Sequence, residues 1–157
     1  MAEKILDGRK KIESRWYSSK HKPWDCVKKG ETIYFKNSGE PARIKSEVSK
    51  VIQFADLTPK KVREILDEYG GDIGLERSEI PEFFKRFKNK KYCVLVFLKN
   101  PKEVKPFDID KKGFGAMSAW ITAERLNPPS LKLRKDTAGL SRSWRIYNKE
   151  NPSIHPR

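Results

Sequence analysis

Tyr92-Cys93-Val94-Leu95-Val96-Phe97-Leu98 is an almost unbroken apolar run, too short and too β-branched to be a helix of its own. A strand of this composition has both faces covered, so it lies centrally in a sheet with other parts of the chain packed on either side. Two helices are expected just before it. Thr58 followed by Pro59 starts the first, in which Val62, Ile65, Leu66 and Tyr69 recur at helical spacing, and Gly70-Gly71 is expected to stop it. The second is expected to have Ser78 as its cap and Pro81 in its first turn. Its Ile80, Phe83, Phe84 and Phe87 form one apolar stripe, read as core packing rather than as a platform for stacked bases.

The rest of the chain reads as short strands and turns. Ala2 to Leu6 forms a short helix ended by Gly8, and an extended segment follows through Trp16. A polar loop from Tyr17 to Glu31 leads into a strand at Thr32 to Lys36 and a turn at Asn37 to Pro41. From Ala42 to Val51 the apolar residues fall at 42, 44, 48 and 51, an imperfect period of two that predicts a long antiparallel strand with a bulge. Beyond Pro101 and Pro106, Phe107 to Trp120 is a glycine-bearing loop returning as a last strand, with Gly113-Phe114-Gly115 as a tight turn. Residues 122–157 are rich in Ser, Lys, Arg and Pro with little periodicity, so the chain divides into one domain at 1–121 and a basic C-terminal extension at 122–157.

Charge selects the partner class. The formal net charge is +14 with a pI near 9.8, a field that draws in polyanions, nucleic acid before a membrane surface. The excess is uneven: net +6 over residues 1–54, +1 over 55–98, +2 over 99–121 and +5 over 122–157. No apolar run approaches a spanning helix and the N-terminus lacks a signal-peptide core, so a cytoplasmic location and no membrane partner are expected. Cys26 and Cys93 are far apart and only His21 and His155 accompany them, which leaves no zinc site of ordinary spacing and no metal or cofactor expectation. The same two histidines do not suit a paired-imidazole ribonuclease, because His155 lies in the proline-flanked C-terminus.

The chemistry concentrates in Gly8-Arg9-Lys10-Lys11-Ile12-Glu13-Ser14-Arg15-Trp16. In an extended segment Lys11, Glu13 and Arg15 share one face while Ile12 and Trp16 pack behind them. Lys10, at the hinge after the short helix, swings toward Glu13 and Arg15. The expectation is an open cleft that neutralises phosphate and still presents one acceptor carboxylate. Gly8, Lys10, Glu13 and Arg15 also match the Gly-x-Lys-x-x-Glu-x-Arg signature of ASCH domains, of the PUA-like superfamily. Val27 to Ile33 resembles the entry to that family's second strand, and Lys111 to Trp120 resembles the segment closing some members.

The resemblance covers residues 1 to about 121 and implies an α+β fold, a small mixed or antiparallel PUA-like β-barrel flanked by helices. Members usually have a strand and loop ahead of the first helix, so this chain is expected to have an incomplete barrel or a shortened start. Members similar to acetylcytidine amidohydrolases carry a threonine where Glu13 stands, so that nucleophile is missing here. The leading functional expectation is an RNA-binding module for phosphate and an unpaired or modified base. Lys10, Lys11, Arg15, Lys45 and Lys111 would meet phosphate, Glu13 would accept from a base edge, and Trp24 would stack, with Trp16 and Tyr34 as lesser stacking candidates. The alternative is a metal-independent ribonuclease or modified-nucleoside hydrolase, with Glu13 as general base, Lys10 polarising the reacting group and Arg15 stabilising charge. A reader of modified DNA bases has less behind it, since no cage of three aromatics follows from spacing. RNA or a nucleotide is the expected partner, DNA is left open, and the oligomeric state is unread.

Overall fold

The computed structural model describes residues 2–21, 23–37, 40–108, 120–123 and 144–148, the last two segments as backbone. Helix α1 (Ala2–Leu6) closes at Gly8, which takes φ +82, and the Lys10 amide then donates to the Lys4 carbonyl at 2.7 Å. Strand β1 (Ile12–Tyr17) follows, then β2 (Thr32–Lys36) and β3 (Ala42–Phe54). Next come α2 (Pro59–Ile73), a 3-10 turn at Arg77–Glu79, α3 (Ile80–Phe87) and the long strand β4 (Tyr92–Phe107). Two short strands complete the sheet, β5 (Trp120–Ala123) and β6 (Trp144–Asn148).

The sheet runs β1-β4-β3-β2-β6-β5. Its first four strands are antiparallel and curl into a half-barrel, while β6 joins β2 in parallel and β5 pairs antiparallel with β6. Thus β6, from within the basic extension, is a strand of the same sheet. The curl has a local cause. Register shifts between Ala42 and Ile44, Lys45 and Glu47, and Val48 and Lys50 mark bulges on the β3–β4 ladder, each of which increases twist. Asn100, at φ +50, sits in one of them.

Tyr92 to Leu98 is central, between β1 and β3, and its alternation explains the unbroken apolar run. Cys93 and Leu95 face the helices with Ile12, Trp16, Leu66 and Phe87, whereas Val94 and Val96 face the inside of the curl with Ile5, Ile33, Phe35 and Val48. The α3 stripe packs as expected: Phe87 stacks on Trp16 at 5.8 Å between ring centroids and Phe83 meets the same ring edge-on at 6.2 Å.

Three expectations change. Helix α2 does not stop at Gly70-Gly71 but continues to Ile73, and the left-handed residue that ends it is Gly74 at φ +95. The Gly74 amide donates to Gly71 and the Leu75 amide to Gly70, the paired bonds of a Schellman close. Ser78 is not the cap of α3, because it lies inside the 3-10 turn, whose own start is closed by the Glu79 carboxylate accepting from the Glu76 amide at 2.7 Å. Strand β4 continues past Pro101 and Pro106 to Phe107. Both prolines fall where the β3 register shifts, and beyond the reach of β1, whose pairing ends at Phe97, so neither removes a ladder bond. The glycine-bearing loop expected around residues 109–119 lies outside the described residues.

Candidate functional site

The site begins with the alternation of β1. Ile12 and Trp16 turn toward α2 and α3, so Glu13 and Arg15 turn inward, directly opposite Val96 and Val94 of β4. Lys10 arrives from the α1 hinge. Its Nζ lies 3.0 Å from Glu13 Oε2, while Arg15 Nε lies 3.6 Å from Glu13 Oε1, so each carboxylate oxygen faces one cation. The cluster carries one positive charge in excess.

The end of α2 completes it. Lys10 Nζ donates to the Ile73 carbonyl at 3.2 Å and Lys4 Nζ to the Gly74 carbonyl at 3.0 Å. The first is the last carbonyl of α2 and the second that of its closing residue, at the end where the macrodipole places partial negative charge, and lysines are stabilised there. Gly74 also permits the approach: a Cβ on it would lie 3.2 Å from the Lys10 Cβ. Neither Lys4 nor Gly74 was among the residues singled out from sequence. The available signal was Gly74 itself, a third glycine beyond the doublet.

One expectation about this cluster is corrected. Lys10, Glu13 and Arg15 converge, but not in an open cleft, since their exposures are 9%, 1% and 4%. Ile5 from α1 and Trp24 from the loop after β1 pack on the inner cluster that contains Val94 and Val96, the residues opposite Arg15 and Glu13. Lys11 stands apart. It is exposed, its amide donates to the Asp72 carbonyl at 2.7 Å and its Nζ lies 3.9 Å from the Asp72 carboxylate.

Trp24 is half-buried, meeting Tyr92 edge-on at 5.2 Å, with Lys20 Nζ 5.6 Å from its ring centroid. Its loop is pinned by Gln53, whose amide donates to the Asp25 carboxylate at 2.8 Å and whose carbonyl oxygen accepts from the Asp25 amide at 2.7 Å. Gln53 pairs with Val94, so this clamp faces the same side as Arg15. Tyr34 is buried against Phe107 at 5.2 Å, which leaves it no open ring face for stacking, and Trp16 is taken up by the helical core. Lys45 lies elsewhere, on the outer side of β3, between Tyr34 and Lys102. Lys111 lies outside the described residues. Beside the cluster, burial pushes the Tyr17 phenol up to about 12, with nearby Arg15 pulling down and Glu13 pushing up.

The curled sheet with α2 and α3 on its outer face defines an α+β fold. Within that class the fold is ASCH-like: the crystal structure of ASCH from Zymomonas mobilis matches with a TM-score of 0.50 and 15% identity, over 71% of this chain and 70% of that one. A tyrosine-to-phenylalanine mutant of the same Zymomonas mobilis protein matches with a TM-score of 0.50 and 16% identity, over 71% of this chain and 72% of that one. No family model and no curated protein matches the sequence.

Proposed function

We propose that this protein is an RNA-binding module in which the inner face of the curled sheet recognises phosphate and an adjoining base. The observation that carries the reading is the chain's net charge of +14 together with an inner face whose polar cluster sets two cations against one carboxylate. Desolvating three charged groups costs several kcal/mol each, and well-packed apolar residues of similar volume hold a fold together equally well or better (about 1–4 kcal/mol). With one net positive charge the cluster biases the field at the rim of that face toward an anion, while its own side chains, 9% exposed or less, stay paired with one another. Trp24 and Tyr92 at its rim supply aromatic surface, and the overall charge of +14 supplies long-range attraction for a polyanion.

The hydrolase alternative has less support. A general base must reach a substrate proton, and Glu13 is 1% exposed with both oxygens turned to cations of its own chain. The test is fluorescence anisotropy with labelled single-stranded RNA over a salt series. Three phosphate contacts at roughly 0.7 each give a log–log slope of about −2 or steeper. Lys10→Met, close in shape, is expected to weaken binding while a thermal melt shows that it remains folded. An absent interaction, or a slope near zero, refutes the proposal.

A further inference from the structure

Across most of the β3–β4 arm, opposed side chains are complementary. Glu47 stands opposite Lys99 with their charged groups 3.7 Å apart, and Val48 stands opposite Leu98. Lys45 breaks the pattern, because its partner in register is Lys102. Directly opposed residues of an antiparallel pair project from the same face with Cβ atoms about 4.5–5.5 Å apart, and like charges so placed destabilise the sheet. No ion pair to either lysine occurs among the described residues. Lys102 is exposed and Lys45 half-buried, so the Lys45 stem is held while both ammonium groups remain within reach of a ligand.

The register itself is built rather than incidental. It is fixed by the bulge at Asn100, whose φ of +50 inserts an extra residue into β4 between the Lys99 and Lys102 pairings. Without that residue, Lys45 would face a different neighbour.

We infer that Lys45 and Lys102 form a phosphate clamp on the outer face of the sheet, a second contact point for the sugar-phosphate backbone of RNA. It is separate from the buried Lys10–Glu13–Arg15 cluster, and the RNA part of the inference rests on the function proposed above. One bridging phosphate relieves the repulsion between the two ammonium groups. The sequence singled out Lys45 alone; only the bulged register brings Lys102 to it.

The experiment uses the full chain and the Lys45→Ala/Lys102→Ala variant, with circular dichroism to show that both are folded. Tripolyphosphate is the first probe, followed by NMR of the lysine side chains. The clamp is supported when the Lys45 and Lys102 signals shift in the unaltered protein and the apparent affinity falls in the variant. It is overturned when those signals do not move or when both proteins bind alike. The second probe is single-stranded RNA across 50 to 200 mM salt. Losing two contacts at roughly 0.7 each reduces the slope by about 1.4, so the variant loses about sevenfold less affinity over that range. Salt-dependent RNA binding with an unchanged slope in the variant overturns the clamp and leaves the RNA-binding reading standing. Tripolyphosphate binding at the two lysines with no RNA binding does the reverse.

Discussion

Replacing Gly74 and Gly71 by alanine, three residues apart near the same helix end, is expected to change stability in opposite directions. Gly74 ends α2 at φ +95, a conformation that costs an L-residue about 1–2 kcal/mol. Its new methyl would also lie 3.2 Å from the Lys10 Cβ, close enough that Lys10 or the helix end must give by a few tenths of an ångström. Gly71 is inside the helix, and a Cβ there meets nothing within 4 Å, so alanine there removes backbone freedom from the unfolded chain and stabilises by roughly 0.5–1 kcal/mol. At about 2–4 °C per kcal/mol for a chain of this size, Gly74→Ala lowers Tm by about 2–8 °C and Gly71→Ala raises it by about 1–4 °C. Gly74→Asn separates the two costs, because asparagine tolerates the left-handed conformation but brings the same Cβ toward Lys10. Calorimetry on the three variants gives the answer. A Gly74→Ala protein that melts at or above the unaltered temperature would refute the argument, and so would a Gly71→Ala protein that melts lower.

Glu13→Ala leaves Lys10 and Arg15 buried without the carboxylate between them and is expected to cost about 3–5 kcal/mol in urea unfolding. The combined Lys10→Met/Glu13→Leu/Arg15→Leu variant is expected to recover most of that loss, and failure to recover it would show that the cluster holds the fold by more than charge pairing. At alkaline pH the Tyr17 phenol remains protonated in the fold up to about 12, whereas unfolded tyrosine ionises near 10. The native state then binds more protons than the unfolded state between those values, so stability falls as pH rises through that window. Tyr17→Phe is expected to flatten the fall, read from urea midpoints at pH 9, 10 and 11; an equally steep fall in the variant would assign it to other groups.

Much of the architecture was legible because local periodicity and caps agree with it. The alternation of Ile12 and Trp16 against Glu13 and Arg15 separated the two faces of β1, the Thr58-Pro59 pair marked the start of α2, and the spacing in Ala42 to Val51 announced a bulged strand. What was not legible depends on segments distant in sequence. Gly70-Gly71 reads as a stop, yet Gly70 is buried where a Cβ would lie 3.5 Å from the Ile80 side chain, and the left-handed turn falls four residues later. Pro101 and Pro106 read as the end of a strand, because sequence does not reveal that β1 begins opposite Phe97 and leaves the rest of β4 without β1 as a second partner. The convergence of Lys10 with Glu13 and Arg15 followed from spacing. Its burial did not, since Ile5 and Trp24 reach the inner face from outside the motif strand, and the pairing of Lys45 with Lys102 is created by a bulge.

The prolines of β4 also bear on how this protein behaves when crowded. Past Leu98, whose amide donates to the Lys11 carbonyl at 2.8 Å, no strand among the described residues pairs with the side of β4 that faced β1, the kind of margin onto which a neighbouring molecule can zip and seed fibrils. Pro101 and Pro106 interrupt its amide row, the kink at Asn100 twists it, and Lys99, Lys102 and Lys105 charge it. A chain with those prolines replaced by valine would keep its ladder to β3 and gain a continuous sticky rim, so its solubility at high concentration, rather than its melting point, is the property that would suffer.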